Sequence, residues 1–449
     1  MSEWREAALG PIADAAGGLI RTGPFGSQLH KHDYVDDGPV IVVMPKDMTQ
    51  GRISTESIAR ISDETALQLS EHVLQAGDIV LARRGDIGRA AWVDERDGRV
   101  LCGTGSMRIH LPAGDLSTRY LHYFLQTEEA INWLQGQAVG ATMPNLNAEI
   151  VRSLPIRYPS LKAQRRVTDV LDAIDDLIEN NRRRIALLER LAQAIYREWF
   201  VHFRYPGHAD NERVDSSLGP IPAGWEVLRV EEVATIVRGR SYRGTELVEE
   251  GGVPFINLKC MERGGGFRRD GLKRYTGDFK AEQAAQPGDI VLAVTDLTQA
   301  REILARATLV PRLSEVGAVI SLDVARVVPK DADDRLPLFA VLRYSDLADR
   351  VKEFANGSTV LHLSPDHIAA ADIIWPSESV RRQMNDVLGS TYEMVDELND
   401  AIDRLASLRN LLLPKLVTGA IDVSHLDLDA LLDGNDGKAS ADHLSEGDN

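Results

Sequence analysis

The 449-residue sequence lacks features that mark several large classes of protein. It has only two cysteines, Cys102 and Cys260, which are too few for a zinc site and typical of a reducing cytoplasm. No apolar run reaches about 18 residues, the length that a membrane-spanning helix needs. The first ten residues, MSEWREAALG, do not have the pattern of a signal peptide. We therefore expect a cytoplasmic protein with no membrane partner.

Catalytic signatures are also missing. The sequence has no G-x-x-x-x-G-K-[ST] phosphate loop, no G-x-G-x-x-G after a strand, and no Asn-Pro-Pro-aromatic motif of adenine methyltransferases. Two polar groups could suggest chemistry. The spacing of Asp270, Asp278 and Lys280 is similar to a nuclease triple, but chance is the simpler explanation. His30, His32 and Asp33 could hold a metal, but a solvated loop is the simpler explanation. We expect no catalytic residue, metal or cofactor in this chain.

The charge of the protein is strongly negative. The formal net charge is −17, which argues against a simple electrostatic coating of nucleic acid. Residues from Asp422 onward carry eight acidic side chains against Lys438, a net of −7, so the rest of the chain carries −10. Local basic loops, or partner proteins, would have to supply the positive charge for binding DNA.

A heptad pattern organises the stretch from Ser160 to about Phe203. Apolar residues recur every seven positions, and neither Pro nor Gly interrupts the stretch. At about 1.5 Å per residue this helix would span about 65 Å, so we interpret it as a spacer. The seam residues are Leu171, Ile174, Ile178, Asn181, Ile185, Leu188 and Ile195.

A second heptad stretch begins 217 residues later, at Ser377. Both stretches begin at a Pro-Ser pair, Pro159-Ser160 and Pro376-Ser377, and both contain the tripeptide Asp-Val-Leu. The shared register predicts that the two helices pair, although two independent surface helices remain the alternative. The seam residues of the second stretch are Leu388, Val395, Leu398, Ile402, Leu405 and Leu412.

The repeat extends into the globular parts, since GDIVLA occurs at Gly77 to Ala82 and again at Gly288 to Ala293. Strands are predicted at Val40 to Met44 and Asp78 to Ala82, and an amphipathic helix at Leu121 to Gln135. The fold class is therefore α+β, with two mixed α/β globular parts, two long helices and a pseudo-two-fold internal repeat. The expected segments are 1–159 and 205–376 (globular, the second opening with a linker), 160–204 and 377–420 (helical), and 421–449 (an acidic tail expected to be disordered).

Polar, glycine-rich loops differ between the two copies while the strands and helices stay alike, which favours two similar scaffolds with different recognition surfaces. Arginine can pair with guanine edges or phosphates, and Asn or Gln can read adenine. Ordinary solvated loop charges remain the alternative for any single residue. The candidate DNA-binding residues are Ser27, Gln28, Arg83, Arg84, Arg89, Asn145 and Asn147 in the first copy, and Arg238, Arg240, Tyr242, Arg243, Arg268, Arg269, Lys273, Thr298, Gln299 and Arg301 in the second.

The stretch from Leu154 to Gly207 resembles the central region of the DNA-sequence specificity subunit of type I restriction-modification enzymes. The resemblance is carried by Leu154-Pro155 and Pro159, by Gln164 in the first helical turn, and by Trp199-Phe200 before the linker. The segments GPFGSQL, GDIVLARRGDIGRAAWV and LLLPKLVTGAIDV are similar to segments of the same family. The second copy departs from the pattern at VTDLTQAR and DIIWPS, so its recognition loop is less well defined.

This resemblance implies a non-catalytic, DNA-binding subunit. Each globular part would be a target recognition domain, and the helices would form an antiparallel coiled coil whose length sets the gap of a bipartite site on double-stranded DNA. Two DNA adenine methyltransferase subunits would supply S-adenosylmethionine chemistry, and motor-nuclease subunits would use ATP and Mg²⁺. A protein-only scaffold that binds methyltransferase without reading DNA, and a stand-alone nuclease, remain the alternatives.

Overall fold

The computed structural model describes residues 4–55, 57–140, 144–208, 212–313 and 317–423. Nearly all of the predicted acidic tail, from residue 424, lies outside the described residues. The chain forms two compact units, which we call unit 1 (Met1–Ile178 with Arg404–Asn449) and unit 2 (Glu179–Asp403). No helix within the described ranges combines the length and the apolar character that crossing a membrane requires.

The helices range from single turns to two very long ones. A π-helical turn, Arg197–Val201, continues α6. The helices are α1 Leu9–Ala15, α2 Asp63–Gln68, α3 Thr118–Phe124, α4 Glu128–Gln137, α5 Ala148–Arg152, α6 Leu161–Tyr196, α7 Val230–Val233, α8 Arg335–Tyr344, α9 Leu347–Val351, α10 Pro365–Ala369 and α11 Glu378–Val417.

The strands of unit 1 form two main sheets. The four-stranded sheet has the order Ala90–Trp92, Ile79–Ala82, Ser106–His110, Leu19–Thr22, and all its neighbours are antiparallel. The five-stranded sheet has the order Tyr34–Val35, Ala59–Ile61, Val40–Val43, Arg99–Cys102, Val73–Leu74, and its one parallel pair is Val40–Val43 with Arg99–Cys102. Two small ladders pair Arg5–Ala8 with Pro155–Tyr158 and Met48–Thr49 with Arg52–Ile53.

Unit 2 repeats the strand order of both main sheets. Its four-stranded sheet has the order Ala307–Leu309, Ile290–Ala293, Val324–Pro329, Ala234–Arg238. Its five-stranded sheet has the order Leu247–Val248, Lys273–Tyr275, Val253–Ile256, Ala318–Ile320, Ala284–Ala285, again with a parallel pair in the middle. The small ladders pair Glu226–Arg229 with Asp372–Trp375, Thr295–Asp296 with Leu361–His362, and Arg213–Val214 with Ile221–Pro222. The internal repeat inferred from the sequence is therefore confirmed by the strand order.

Within unit 1, the two long helices run antiparallel. Asp175 of α6 accepts from Arg409 of α11 at 2.5 Å. Arg166, nearer the start of α6, donates at 3.5 Å to the carbonyl of Val423, which follows the end of α11. Earlier residues of α6 therefore contact later residues of the chain, as in an antiparallel pair. In unit 2, the later part of α6 and the first part of α11 share one apolar cluster that includes Ala192 and Leu388. All thirteen predicted seam residues are buried or half-buried, and Asn181 is buried with 9% of its surface exposed.

Each long helix begins against its own globular part through the same position of the repeat. In unit 1 the buried Gln164 side chain accepts from the backbone of Ser117 and donates to the carbonyls of Asp115 and Pro159, each at 2.8 Å. In unit 2 Arg381, 217 residues later, donates to Asp334 at 2.5 Å and to the carbonyl of Pro376 at 2.8 Å. A buried polar side chain that meets all its partners fixes the angle at which a helix leaves the domain.

Two predictions from the sequence need correction. The single helix expected over Leu121 to Gln135 is two helices, α3 and α4, because the Thr127 side chain accepts from the backbone of Ala130 and caps a new helix. The linker expected from Tyr205 is partly packed, since the Tyr205 ring is buried and lies 5.3 Å from that of Trp225.

Candidate nucleic-acid interface

In unit 1, two arginines and one asparagine meet where a buried strand ends. Arg83 and Arg84 follow the strand Ile79–Ala82, and Asn145 pairs with Arg84 as an isolated bridge. The Asn145 amide oxygen accepts from Arg83 Nη1 at 3.2 Å and from Arg84 Nε at 3.1 Å. Arg83 is also held through its backbone, which donates to Gly105 and accepts from Leu146, each at 2.9 Å. The sequence predicted all three residues, and the fold brings them together across 61 positions of the chain.

The two guanidinium groups of this cluster lack a compensating charge. Neither Arg83 nor Arg84 forms an ion pair with a carboxylate within the described part of the chain. Burial is the main cause that lowers the pKa of Arg83, and the neighbouring charge of Arg84 acts in the same direction. The exposed ring of Phe25 lies 5.8 Å from the Arg83 guanidinium. Such an arrangement favours an anionic or hydrogen-bond-accepting ligand, because that ligand would supply the missing partner.

The other predicted residues of unit 1 have varied surroundings. Ser27 and Gln28 are exposed, and the Gln28 side chain accepts from the backbone of Phe25 at 3.0 Å. Arg89 is exposed and pairs with Asp86 at 3.0 Å. The Asn147 side chain caps α5 by accepting from the backbone of Ile150 at 2.8 Å, so its amide oxygen is already engaged.

Predicted cations of unit 2 are mostly engaged with acidic residues. Arg269 contacts Asp400 at 3.3 Å and also Asp403, which ties its loop to α11. The remaining pairs join Arg238 to Asp366, Arg268 to Asp270 and Arg301 to Glu353. These ion pairs hold loops in place, in contrast to the Arg83 and Arg84 cluster.

The other predicted positions of unit 2 are aromatic, neutral or lysine side chains and two further arginines. Tyr242 packs on Phe255 at 4.8 Å, and Gln299 donates to the carbonyl of Ser358 at 2.7 Å. The half-buried Lys273 lies in the strand Lys273–Tyr275. A hydrogen bond between Arg240 and Tyr275 raises the pKa of Arg240. The backbone N–H of Arg243 donates to Glu246, and the backbone N–H and the hydroxyl of Thr298 both donate to Asp296.

Sequence reasoning missed one pair in unit 2. The Thr295 hydroxyl lies 3.3 Å from Nδ1 of His362, and the two residues pair in a short ladder. A single histidine such as His362 has no recognisable pattern in a sequence. Only the strand pairing shows that it lies opposite Thr295.

The two polar groups considered as a nuclease triple and as a metal site have the following surroundings. Asp270 is paired with Arg268, which holds the pKa of its carboxyl below the usual range, and Lys280 lies 3.6 Å from Glu282. Ligand atoms of His30, His32 and Asp33 lie within 4.8 Å of one another on the surface, so this group could hold a metal ion. The Asp33 carboxylate already accepts from the backbone of His30 at 2.6 Å.

These features define a duplicated α+β chain in which each globular part carries its own loop cluster and its own long helix. Residues 1–190 match the family model described as type I restriction modification DNA specificity domain. The chain is 24% identical to the type I restriction enzyme MjaIX specificity subunit of Methanocaldococcus jannaschii, over 87% of this chain and 88% of that protein. It is 21% identical to the HindI specificity subunit of Haemophilus influenzae, over 94% of this chain and all of that protein.

A solved structure shares the fold. The crystal structure of the type I restriction-modification system S subunit from M. genitalium superposes with a TM-score of 0.54 at 15% identity, covering 92% of this chain and 96% of that one. The resemblance inferred from the sequence is thus confirmed, and so is the α+β fold with long helices.

Proposed function

We propose that this chain is the sequence-specific DNA-binding subunit of a type I restriction-modification complex and has no catalytic role of its own. The observation that carries the proposal is the carboxylate-free cluster of Arg83, Arg84 and Asn145 on a duplicated scaffold. Arginine forks and an asparagine amide are the side chains that read purine edges in the major groove. The similarity to specificity subunits supports the same conclusion.

We propose further that each unit reads one half of an asymmetric, bipartite site. The topology repeats, but the loop residues do not, so two unlike half-sites are expected. The continuous helices α6 and α11 would set the length of the unread gap. Because the net charge is −17, partner subunits would contribute part of the grip on the phosphates.

Partner subunits have apolar surface available on the long helices. Leu187 and Leu191 of α6 are exposed by 61% and 50%, and Leu408 and Leu411 of α11 by 43% and 55%. A groove of about 360 Å³ beside Arg190, Arg197, Val201 and Tyr344 lies in unit 2. Leu187 and Leu191 lie four positions apart and Leu408 and Leu411 three, so each pair lies on one face of its helix. We propose that two methyltransferase subunits, with S-adenosylmethionine, dock on these helices in the cytoplasm, and that motor-nuclease subunits with ATP and Mg²⁺ complete the complex.

Long-read mapping of modified adenines in the host genome tests this function. One split adenine-methylated motif should disappear when the gene is deleted and return when it is restored. If all motifs persist after deletion, the chain does not direct methylation. If the protein copurifies with a methyltransferase but retains no DNA sequence, the scaffold alternative is correct instead.

A matched pair of variants separates reading from folding. Arg84→Ala should relax one position of a half-site and weaken binding about tenfold or more, since a good base contact contributes about 1–3 kcal/mol. Arg269→Ala removes an arginine that pairs with α11, so it should lower the stability of unit 2 without changing the motif. An unchanged motif with Arg84→Ala would count against the cluster as a reader.

A further inference from the structure

The position of the Arg84–Asn145 pair recurs in unit 2 with different side chains. In unit 1, Asn145 bridges to Arg84 on one side and to Val139 on the other. In unit 2, His362 pairs with Thr295 on one side and with Asn356 on the other. His362 follows Asn145 by 217 positions, and Asn356 follows Val139 by the same number. Thr295 follows Arg84 by 211, the offset of the GDIVLA repeat, so the two sites are topologically equivalent.

We infer that His362, held by Thr295, is the base-reading residue of unit 2 and contacts a base edge of duplex DNA where unit 1 uses Arg84 and Asn145. This inference rests on the proposed function. It assigns to the half-site of unit 2 a specificity-determining residue that was not among the candidates predicted from the sequence.

The backbone of His362 is fixed on both sides. Its N–H donates to the carbonyl of Asn356 at 2.8 Å, and its carbonyl accepts from the N–H of Asn356 at 2.9 Å. Its imidazole is exposed, whereas Thr295 is 3% exposed. A buried hydroxyl 3.3 Å from Nδ1 of an exposed ring restrains the ring orientation, and this hydroxyl can donate to Nδ1 or accept from it. Nε2 has no hydrogen-bond partner among the described residues and is the atom left for a ligand.

The acidic residue that follows Thr295 in the chain is already engaged. The Asp296 carboxylate is buried and accepts from Thr298 N at 2.7 Å, from the Thr298 hydroxyl at 2.8 Å and from Ile303 N at 3.1 Å. Arg301, six residues after Thr295 in the chain, is also engaged, since it pairs with Glu353. Leu297, 66% exposed on the same loop, offers an apolar surface of the kind that meets a thymine methyl group.

The two proposed readers therefore differ in their hydrogen-bonding groups. Unit 1 has two guanidinium groups and an amide, while unit 2 has one free imidazole nitrogen. One imidazole nitrogen makes a single hydrogen bond to a base edge, whereas an arginine fork can make two. The half-site of unit 2 should accordingly depend on one critical base pair at this position.

The test expresses His362→Ala and Asn145→Ala, each with the native methyltransferase partner, in cells that lack the gene, and maps modified adenines. With His362→Ala, one position of one half-site should lose about tenfold or more of its base preference, while the other half-site and the gap stay unchanged. Asn145→Ala is the matched variant and should relax the opposite half-site. A wild-type motif with His362→Ala overturns the inference but leaves the proposed function intact.

Two further outcomes are decisive. If the wild-type protein directs no split motif, the proposed function itself fails. If His362→Ala abolishes modification, His362→Asn restores a hydrogen-bonding side chain, and a changed base at one position then supports the inference. Return of the unchanged wild-type motif, or continued absence of modification, would instead give His362 a structural role.

Discussion

In unit 1 the globular part meets the long helices through buried charges, whereas in unit 2 the same position of the repeat is occupied by aromatic rings. Asp175 contacts Arg409 at 2.5 Å, and Tyr123 donates to Asp172 at 2.6 Å and to Asp175 at 3.0 Å. Arg119 donates to Asp172 at 2.7 Å and completes the network. Every member of this set has a partner of opposite charge or a hydrogen bond.

Unit 2 has uncharged residues at the equivalent positions. At an offset of 217 residues, Asp175 corresponds to Tyr392 and Arg409 to Ala192, and His122, which packs on Tyr123 in unit 1, corresponds to Phe339. The Phe339 and Tyr392 rings lie 5.2 Å apart, edge to face, and the Tyr344 and Tyr392 hydroxyls are 2.7 Å apart. One backbone geometry therefore accepts either a complete ionic network or an aromatic cluster, but removal of a single member should destabilise the ionic form more strongly.

The largest effect is expected for Arg409→Ala. Asp175, whose side chain is only 10% exposed, would lose its cation, and a buried carboxylate left without its partner costs about 3–5 kcal/mol. Amide exchange in residues 404–417 during urea titration should show the loss in unit 1. Asp175→Leu combined with Arg409→Ala should recover part of it. Arg382→Ala, which removes an exposed pair with Glu378, is the control and should change the stability little.

A smaller effect is the pH dependence of unit 1. Burial and the neighbouring Arg119 lower the pKa of His122 well below its usual value, and Nε2 donates to the carbonyl of Gly51 at 2.9 Å. Below a pH of about 6.5, His122 binds a proton in the unfolded chain but not in the folded one. The free energy of unfolding should therefore decrease by up to about 1.4 kcal/mol for each pH unit by which the pH is lowered.

His122→Phe should reduce this slope, while the half-buried His72, whose pKa is also lowered, keeps part of it. The equivalent residue in unit 2 is already Phe339. The reciprocal variant Phe339→His should introduce a slope of the same sign in unit 2. Urea unfolding between pH 5 and 7, followed separately in each unit by amide exchange, measures both. Equal slopes for the wild type and His122→Phe would show that His122 does not carry the pH dependence.

The smallest effect is expected in the aromatic junction. Tyr392→Phe removes one hydroxyl from a hydrogen-bonded pair and should cost about 1 kcal/mol. Because no charge is involved, the loss should be the same at low and high salt, unlike that of Arg409→Ala. A double-mutant cycle with Tyr344→Phe isolates the shared bond, and additive losses would show that the two hydroxyls are not coupled.

The sequence predicted the large features because they depend on periodicity. The repeat, the two long helices and the seam residues on both helices can be predicted from the spacing of apolar residues alone. The break before Thr127 escaped prediction because a side-chain cap competes with an apolar pattern that continues through it. The contacts of loop residues could not be predicted for a different reason. The residues that contact Arg269 and His362 are each more than 60 positions away from them along the chain.

The spacer is tested most directly by removing one heptad from each long helix, residues 182–188 and 396–402, and mapping the methylated motif. Each deletion removes about 10.5 Å of helix at about 1.5 Å per residue. At about 3.4 Å per base pair, the gap between the half-sites should shrink by roughly three base pairs while both half-sites keep their sequences. A methylated motif with an unchanged gap would contradict the account.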